Sequence, residues 1–410
     1  KQFNRPHITG HHRAQPGMSD EPISSQITIT HIISGDLWAG AEVQVYNLCQ
    51  ALSARMGVSV SAVVFNPGIL HDKLVELGIP VTLADEAHTG PFSIAKAIAT
   101  HCKLQGTDIV HTHGFKENVL GILGKELARV PYSVRTVHGN PEHEFSYRKP
   151  HKWLTSRLDI WLGRLRQQAI IAVSTQLEHS LQSTFPGKVS KIYNFVNVEE
   201  IQQTWQLEST NNPSHEPLLG IVGRLVPVKR VDLFIRVIAS LNDGGYPCHG
   251  AIIGNGPLEE SLKKLAHELG VSERISFKGF VNPAMKEIRK LDALLMPSDH
   301  EGLPMTLLEA ATLGIPVVAH NVGGIPEVLT GWKRGALVDE QTPSAYANKV
   351  LSILPRQPHA EDAATTPPMA TPPPEFENKF SSRENAKKYV ELYTNILSLS
   401  RGINLPTTSS

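Results

Sequence analysis

The strongest constraint on the fold is a rhythm that runs along the chain twice: short β-branched runs alternate with segments whose apolar residues recur at helical spacing. In the first half, Ile27–Ile33, Ser59–Phe65, Val81–Ala84, Asp108–His111, Ser133–Val137 and Ile170–Val173 read as strands. Between them lie helical faces such as Val45, Leu48, Cys49 and Leu52, at i, i+3, i+4 and i+7. The polar run Leu207–Pro217 interrupts the rhythm. It restarts with strand candidates Leu219–Val222, Ala251–Ile253, Ile275–Phe277, Ala293–Met296 and Pro316–Ala319, separated by faces such as Phe234, Val237, Ile238 and Leu241. Such alternation predicts parallel sheets covered by helices. The expected architecture is therefore α/β: two Rossmann-like, doubly wound parallel-sheet domains facing a cleft, with ligands outside the carboxyl ends of the strands.

With 410 residues the chain exceeds what one core usually serves, in keeping with two domains. Residues 1–22 read as a disordered lead-in, with Met18 a candidate true start. Residues 23–206 form the first domain, 207–217 a linker and 218–354 the second domain. Residues 355–379 contain Pro367-Pro368 and Pro372-Pro373-Pro374 and read as a proline-rich loop. Residues 380–400, with Tyr389, Leu392, Tyr393 and Ile396 on one face, read as a terminal helix that packs back on the body.

Composition excludes some function classes. Thirty-nine basic residues balance 39 acidic ones, so no global field draws the chain to nucleic acid, and an anion site must be local. Cys49, Cys102 and Cys248 are odd in number and widely spaced, which suits neither a disulfide framework nor a zinc module and points to a reducing compartment. No run reaches the eighteen or so apolar residues of a membrane span. A cytoplasmic protein is expected, one still able to lie on the inner face of a membrane.

The chemistry gathers at predicted strand ends. After the strand ending at Met296, Glu301 and Gly302 lie in a loop, Pro304 stands where a first helical residue is favoured, and the free amides of that helix start make a phosphate site. Glu309 follows on the same helix, and a carboxylate there suits sugar and ribose hydroxyls. An isolated pair of this kind is more often two solvated glutamates. Upstream, Gly223, Arg224 and Lys229 bring two cations to another strand end, where a diphosphate leaving group needs neutralising. Gly254-Asn255-Gly256 is a strand-to-helix turn open to nucleotide approach or to tight chain reversal. It lacks the third glycine and the acidic residue of a dinucleotide site. In the first half, Gly40 opens a helix after a glycine loop, with Glu42 as either an acceptor contact or a dipole-complementing first-turn residue. His138 lies at one strand end, and His111 and His113 lie at another, all expected to face the cleft. The last two lack the cysteine or carboxylate partners of a metal site.

These segments resemble glycosyltransferase family four (group 1), retaining enzymes of the GT-B class whose motif is two glutamates separated by seven residues. The resemblance runs from about Ile27 to Leu354 plus the terminal helix. It implies that Glu301 contacts the donor sugar and Glu309 the ribose, and that the segment Gly302, Leu303, Pro304, Met305 and Thr306 wraps the diphosphate, with the amides of all but the proline turned to it. Leu303-Pro304 stands where many members have Phe-Gly. By the same resemblance Arg224 and Lys229 bind diphosphate and stabilise its departure. His138 touches the donor sugar near the reacting carbon, and Val281 lies in the segment that reads the base. Val173-Ser174, Asn194-Phe195-Val196-Asn197 and Gly323-Gly324-Ile325-Pro326-Glu327 also match in order. The implied activity moves a sugar, with retention, from a UDP- or GDP-sugar substrate to a glycan or lipid-linked acceptor, in polysaccharide, lipopolysaccharide or lipid-linked glycan assembly. Neither metal nor cofactor is implied, and the chain contains no Asp-x-Asp. The alternatives are an epimerase- or phosphorylase-like enzyme, a silent nucleotide-binding scaffold of the same fold, and a nicotinamide oxidoreductase.

One segment stands apart from that set. In residues 148–166, Leu154, Leu158, Trp161, Leu162 and Leu165 share a helical face flanked by Arg157, Arg164 and Arg166. The pattern fits an anionic bilayer surface as well as an ordinary helix laid on the sheet.

Overall fold

A computed structural model describes residues 26–139, 150–205, 216–354, 372 and 374–401. The lead-in, residues 207–215 of the expected linker and nearly all of 355–373 lie outside the described residues. The first parallel sheet contains β1 (Ile27–Ile33), β2 (Val58–Val64), β3 (Val81–Leu83), β4 (Ile109–Thr112), β5 (Tyr132–Val137), β6 (Ala169–Ala172) and β7 (Val189–Lys191). Its helices are α1 (Gly40–Ser53), α2 (Ile69–Glu76), α3 (Pro91–Gln105), α4 (Phe115–Ala128), α5 (Pro150–Arg166), α6 (Thr175–Thr184) and α7 (Val198–Thr204).

The second parallel sheet contains β8 (Leu218–Val222), β9 (His249–Ile253), β10 (Ile275–Gly279), β11 (Ala293–Met296), β12 (Val317–His320) and β13 (Gly335–Val338). With it go α8 (Val231–Asp243), α9 (Glu259–Glu268), α10 (Met285–Ile288), α11 (Met305–Thr312), α12 (Ile325–Leu329) and α13 (Pro343–Ile353). Two more helices, α14 (Pro374–Phe380) and α15 (Ser382–Arg401), end the described chain. This is the GT-B architecture of two Rossmann-like domains.

Strand order explains where a site can form. The first sheet runs β3-β2-β1-β4-β5-β6-β7 and the second β10-β9-β8-β11-β12-β13. In each, the chain winds outward one way and then returns to the other side of its first strand. The connections leaving the two central neighbours therefore diverge, and a crevice opens between them. In the first domain that point lies between β1 and β4, in the second between β8 and β11. The loops carrying Gly35–Gly40, His113, Gly223–Arg224 and Glu301–Pro304 all leave these four strands.

Packing follows the periodic faces. On α8, Phe234, Val237 and Ile238 are fully buried and Leu241 almost so. At about 25 cal/mol per Å² of apolar surface, each contributes on the order of 2 kcal/mol against its exposed state. Several elements differ from their sequence expectation. The short edge strands β7 and β13 were not anticipated, because three or four residues carry too little alternation to stand out. Helix α14 occupies the end of the stretch read as a proline-rich loop: Pro374 opens it, and Phe376 and Phe380 are buried in the main core. A helix start tolerates proline, whereas proline clusters mask helical periodicity in a sequence. Helix α15 returns to the first domain, where Tyr389 and Tyr393 fill the core under β1 and α1.

Candidate active site between the two domains

A cleft of about 840 Å³ lies between the domains. His138 and the α1 entry line one wall, and Arg224, Lys229, Glu301 and Glu309 line the other. Gly40, Gly254, Asn255, Val281, Gly302, Leu303, Pro304, Met305 and Thr306 also line it, while Gly256 does not.

The loop after β11 is fixed before any ligand arrives. Lys229 Nζ donates to Glu301 Oε1 at 2.6 Å, and the Glu301 side chain is only 9% exposed. A second tie, Asp299 N to Val228 O at 2.8 Å, joins the same two loops. Arg230 is held by Asp232, Asp299 and Gln341. Arg224, by contrast, is exposed at the cleft and has no carboxylate partner among the described residues. The two cations thus differ: one orients a glutamate, and the other is available to an anion.

Pro304 is the N-cap of α11, with extended backbone, rather than its first helical residue. The unbonded amides that face the cleft therefore begin at Met305, and the dipole adds positive potential there. Glu309, one turn further, is partly exposed within the cleft, and burial pushes its carboxyl up to about 7.

Glycines set the close approaches. Gly302 passes the first domain so closely that an added Cβ would meet the His138 carbonyl oxygen at 1.9 Å. Gly254, at φ +137°, would place a Cβ 1.9 Å from the Gly223 oxygen, and one on Gly256 would meet Leu225 backbone at 2.6 Å. The Gly254–Gly256 turn therefore serves first to dock on the Gly223–Leu225 loop, through Leu225 N to Asn255 O at 2.9 Å. The sequence offered approach to a nucleotide or a tight chain reversal for this turn; docking on the neighbouring loop was not legible there.

On the opposite wall, Glu42 takes the bland alternative: its Oε2 accepts the Ala39 amide at 3.3 Å and caps α1. Burial pushes this carboxyl up to about 7. The histidines need a correction. His138 lines the cleft, but His111 and His113 do not face it: they lie in the core, His111 bonded to Tyr393 Oη at 2.7 Å and to Thr136 Oγ1 at 2.8 Å. The register that sets β4 beside β1 places His111 opposite a further histidine, His31, and turns these side chains inward. His113 contacts His31 at 2.9 Å and His138 at 3.2 Å, nitrogen to nitrogen.

His31, His111 and His113 have ligand atoms within 4.8 Å of one another, close enough to consider a metal. Their geometry is one of mutual hydrogen bonds: His31 and His113 share a proton, and both His111 nitrogens contact hydroxyls.

Sequence reasoning also missed the role of Glu327. Its carboxylate accepts from Thr175 N and Thr175 Oγ1, both at 2.7 Å, and from Tyr193 Oη at 2.5 Å, bridging the second domain to the first. Gln176 Oε1 accepts the Gly323 amide at 2.5 Å, and Asn194 Nδ2 donates to Leu303 O at 2.7 Å. The Gly323-Gly324-Ile325-Pro326-Glu327 segment was visible as a motif, but nothing in the sequence paired it with Thr175.

Comparison with known proteins bears on the whole assembly. A family model described as glycosyltransferase family 4 matches residues 38–200, and one described as glycosyl transferases group 1 matches residues 202–366. An uncharacterised glycosyltransferase of Methanocaldococcus jannaschii is 29% identical over 261 residues, 60% of this chain and 66% of that protein. The UDP-Gal:alpha-D-GlcNAc-diphosphoundecaprenol alpha-1,3-galactosyltransferase of Escherichia coli is 26% identical over 265 residues, 61% of this chain and 67% of that protein. The match thus spans about two thirds of each relative's length. Among solved structures, Anabaena HepE in complex with UDP superposes with a TM-score of 0.72 at 18% identity, covering 90% of this chain and 100% of that one. That likeness establishes the fold.

Proposed function

The chain belongs to the group 1, family 4 glycosyltransferases, and from that premise we propose that it transfers a sugar from a nucleoside-diphosphate donor to an acceptor hydroxyl with retention at the anomeric carbon. One observation carries the reading. Around a single cleft stand a glutamate pre-oriented by a lysine, an exposed arginine without a carboxylate partner among the described residues, and the open amides of a helix start.

Each group has a task matched to its chemistry. Glu301, held by Lys229, accepts from donor-sugar hydroxyls, and Glu309 accepts from ribose. The amides at the start of α11, with Gly302, receive the diphosphate. Gly254, Asn255 and Val281 contribute backbone to the nucleotide side, Gly40 brings the α1 amides from the other wall, and His138 meets the sugar. Arg224 and the ammonium of Lys229 stabilise charge as the anomeric C–O bond breaks and its electron pair moves to the diphosphate. The acceptor oxygen attacks from the same face, and its proton passes to the departing phosphate oxygen. No step calls for a metal or cofactor.

A UDP- or GDP-sugar fits a site whose contacts to the base come from backbone. UDP bound to the structurally similar HepE and the UDP-Gal donor of the Escherichia coli relative support the former. That relative's diphosphoundecaprenol acceptor supports lipid-linked glycan assembly.

Membrane contact belongs to this reading. Along α5, Leu158, Trp161 and Leu165 are 39%, 56% and 58% exposed, and Arg164 and Arg166 are exposed beside them. What faces inward is Asp159, paired with Arg135 at 2.6 Å, together with Gly163 and Gln167. Apolar side chains left outside a helix and flanked by arginines suit an anionic headgroup layer, where a lipid-linked acceptor would lie. Side chains of residues 148–156, including Leu154, lie outside the described residues.

Thermal-shift measurements with UDP, GDP and ADP, then with their sugars, test the donor reading, because a ligand of the native state raises the melting temperature. NMR of the product with the responding donor reports the anomeric configuration. Inversion, or a free isomerised sugar nucleotide, refutes retaining transfer.

A further inference from the structure

The cleft extends further than the donor groups account for. Along α1, Gly40, Val43, Asn47 and Gln50 line it at i, i+3, i+7 and i+10. A Cβ on Gly40 would stand 3.9 Å from Met305 Cγ, at the start of α11. Gln50, ten residues on, lies about 15 Å further along the helix axis. Between these ends the same wall carries Trp38, Tyr46 and, from α2, Lys73, none of which the proposed donor contacts use.

Lys73 is a half-buried cation held by aromatic faces instead of carboxylates. Its Nζ lies 5.6 Å from the centre of the Trp38 ring and 5.1 Å from that of Tyr46, and the two rings stand 6.1 Å apart at 63°. Ring faces fix the direction of a flexible chain and leave its charge uncancelled. No carboxylate pairs with this ammonium among the described residues, and its N–H donors remain available to a ligand oxygen. Asp36 and Glu200 also line the cavity, Glu200 accepting from Asn197 Nδ2 at 2.9 Å. Carboxylates repel an anion but accept from hydroxyls. Such a wall fits a ligand that carries hydroxyls on one part and a negative charge on another.

We propose that Lys73, held by Trp38 and Tyr46, is the residue through which this cleft selects an acceptor bearing a phosphate or carboxylate beside its sugar. The acceptor role rests on the transfer reading given above; the anion contact does not. The anion meets the ammonium, the sugar lies along the Gly40–Gln50 stripe of α1, and its hydroxyls meet Gln50, Asp36 and Glu200. This chemistry has two sources, a soluble sugar phosphate or uronic acid and a sugar carried on a lipid diphosphate.

The test is isothermal titration calorimetry on the full chain saturated with UDP, so that added phosphate cannot occupy the donor end. The 1-phosphates of glucose, galactose, mannose and N-acetylglucosamine are titrated beside the matching methyl glycosides. Hexuronic acids and a short-chain prenyl-diphosphate sugar form separate arms that distinguish the sources. At least one charged ligand should bind roughly tenfold more tightly than its neutral counterpart, the scale of one charge-assisted contact. Lys73→Met should erase that preference and Lys73→Arg should keep it, with UDP affinity unchanged in both. Equal binding of charged and neutral ligands, no binding of any charged ligand, or a preference that survives Lys73→Met overturns the proposal. Should Lys73→Met fail to fold, Lys73→Gln takes its place under the same criteria. If UDP does not bind at all, the transfer reading falls, and the same titrations on the free protein still report the Lys73 contact.

Discussion

Lys229 and Glu301 stand 72 residues apart in the chain and 2.6 Å apart in the cleft, the lysine from the turn after β8 and the glutamate from the loop after β11. The pairing changes what each residue is for. Lys229 neutralises and aims the glutamate in addition to its proposed role at the diphosphate, so removing either member leaves a poorly solvated charge behind.

Lys229→Met should therefore lower kcat about a hundredfold by losing leaving-group stabilisation, and should cost roughly 1–3 kcal/mol of stability by orphaning Glu301. In a double-mutant cycle, Lys229→Met with Glu301→Gln should recover part of the stability and none of the turnover. Additive losses in chemical denaturation would refute the coupling.

Glu309 supplies a pH dependence whose sign follows from its burial. Its folded value, about 7, lies above its unfolded one, so folding takes up a proton. Stability is intact below about pH 4.5 and declines as pH rises to about 7, by at most about 1.4 kcal/mol per unit. Glu309→Gln should raise the melting temperature at pH 8 and leave it unchanged at pH 4. On the proposed role of Glu309 as the ribose acceptor, binding needs the carboxylate, so nucleoside-diphosphate affinity should rise between pH 6 and pH 8 in the wild type and stay flat in the variant. A flat wild-type calorimetric profile would refute this role.

The buried histidines act in the opposite direction. His31 is depressed to about 3, His101 and His138 to about 4, and His111 and His113 well below the usual range, all through burial. Their unfolded forms take up protons near pH 6.5, so stability is complete above that value and is lost as pH falls toward 4. Each histidine contributes up to about 1.4 kcal/mol per pH unit in that window. Thermal melts from pH 7.5 to pH 4.5 should show a steep drop; a shallow one would mean that the cluster is hydrated in solution.

Glu327 tests domain closure. Glu327→Ala deletes three hydrogen bonds to Thr175 and Tyr193 that bridge the domains. The fold of each domain should survive, while small-angle scattering should show a larger radius of gyration and the donor KM should rise several-fold, the cost of a closed state populated less often. An unchanged radius with an unchanged KM would show that closure does not depend on Glu327.

At Gly254, an alanine would face both a left-handed φ of +137° and a Cβ 1.9 Å from the Gly223 oxygen. We expect a loss of about 2–4 kcal/mol, read as a lower denaturation midpoint. A loss below about 1 kcal/mol would mean that the two loops separate easily.

Much of this was legible in the sequence for a definite reason. Strand and helix are local decisions: β-branched runs and i, i+3, i+4, i+7 faces are set by neighbours a few residues away, whereas the glutamate pair and the cations stood out as a site through the family resemblance. Helix α14 was hidden because three prolines in a row suppress the very periodicity being sought. The histidines were misplaced because their direction depends on register. Whether a residue at a strand end faces cleft or core is fixed by which strand lies beside it, and His31, in a run that reads as ordinary strand, carries no local mark at all.

The sequence alone thus determined the two doubly wound halves, the strand ends that carry chemistry and the residue types available there, since each depends on local sterics and periodicity. Tertiary structure alone decided the partnerships: Lys229 with Glu301, Glu327 with Thr175, and His31 with His113 and through it His138. Those pairs join residues 72, 152 and 82 positions apart, and for the last ring 25 more, distances over which only the order of strands in a sheet and the closure of two domains can bring atoms into contact.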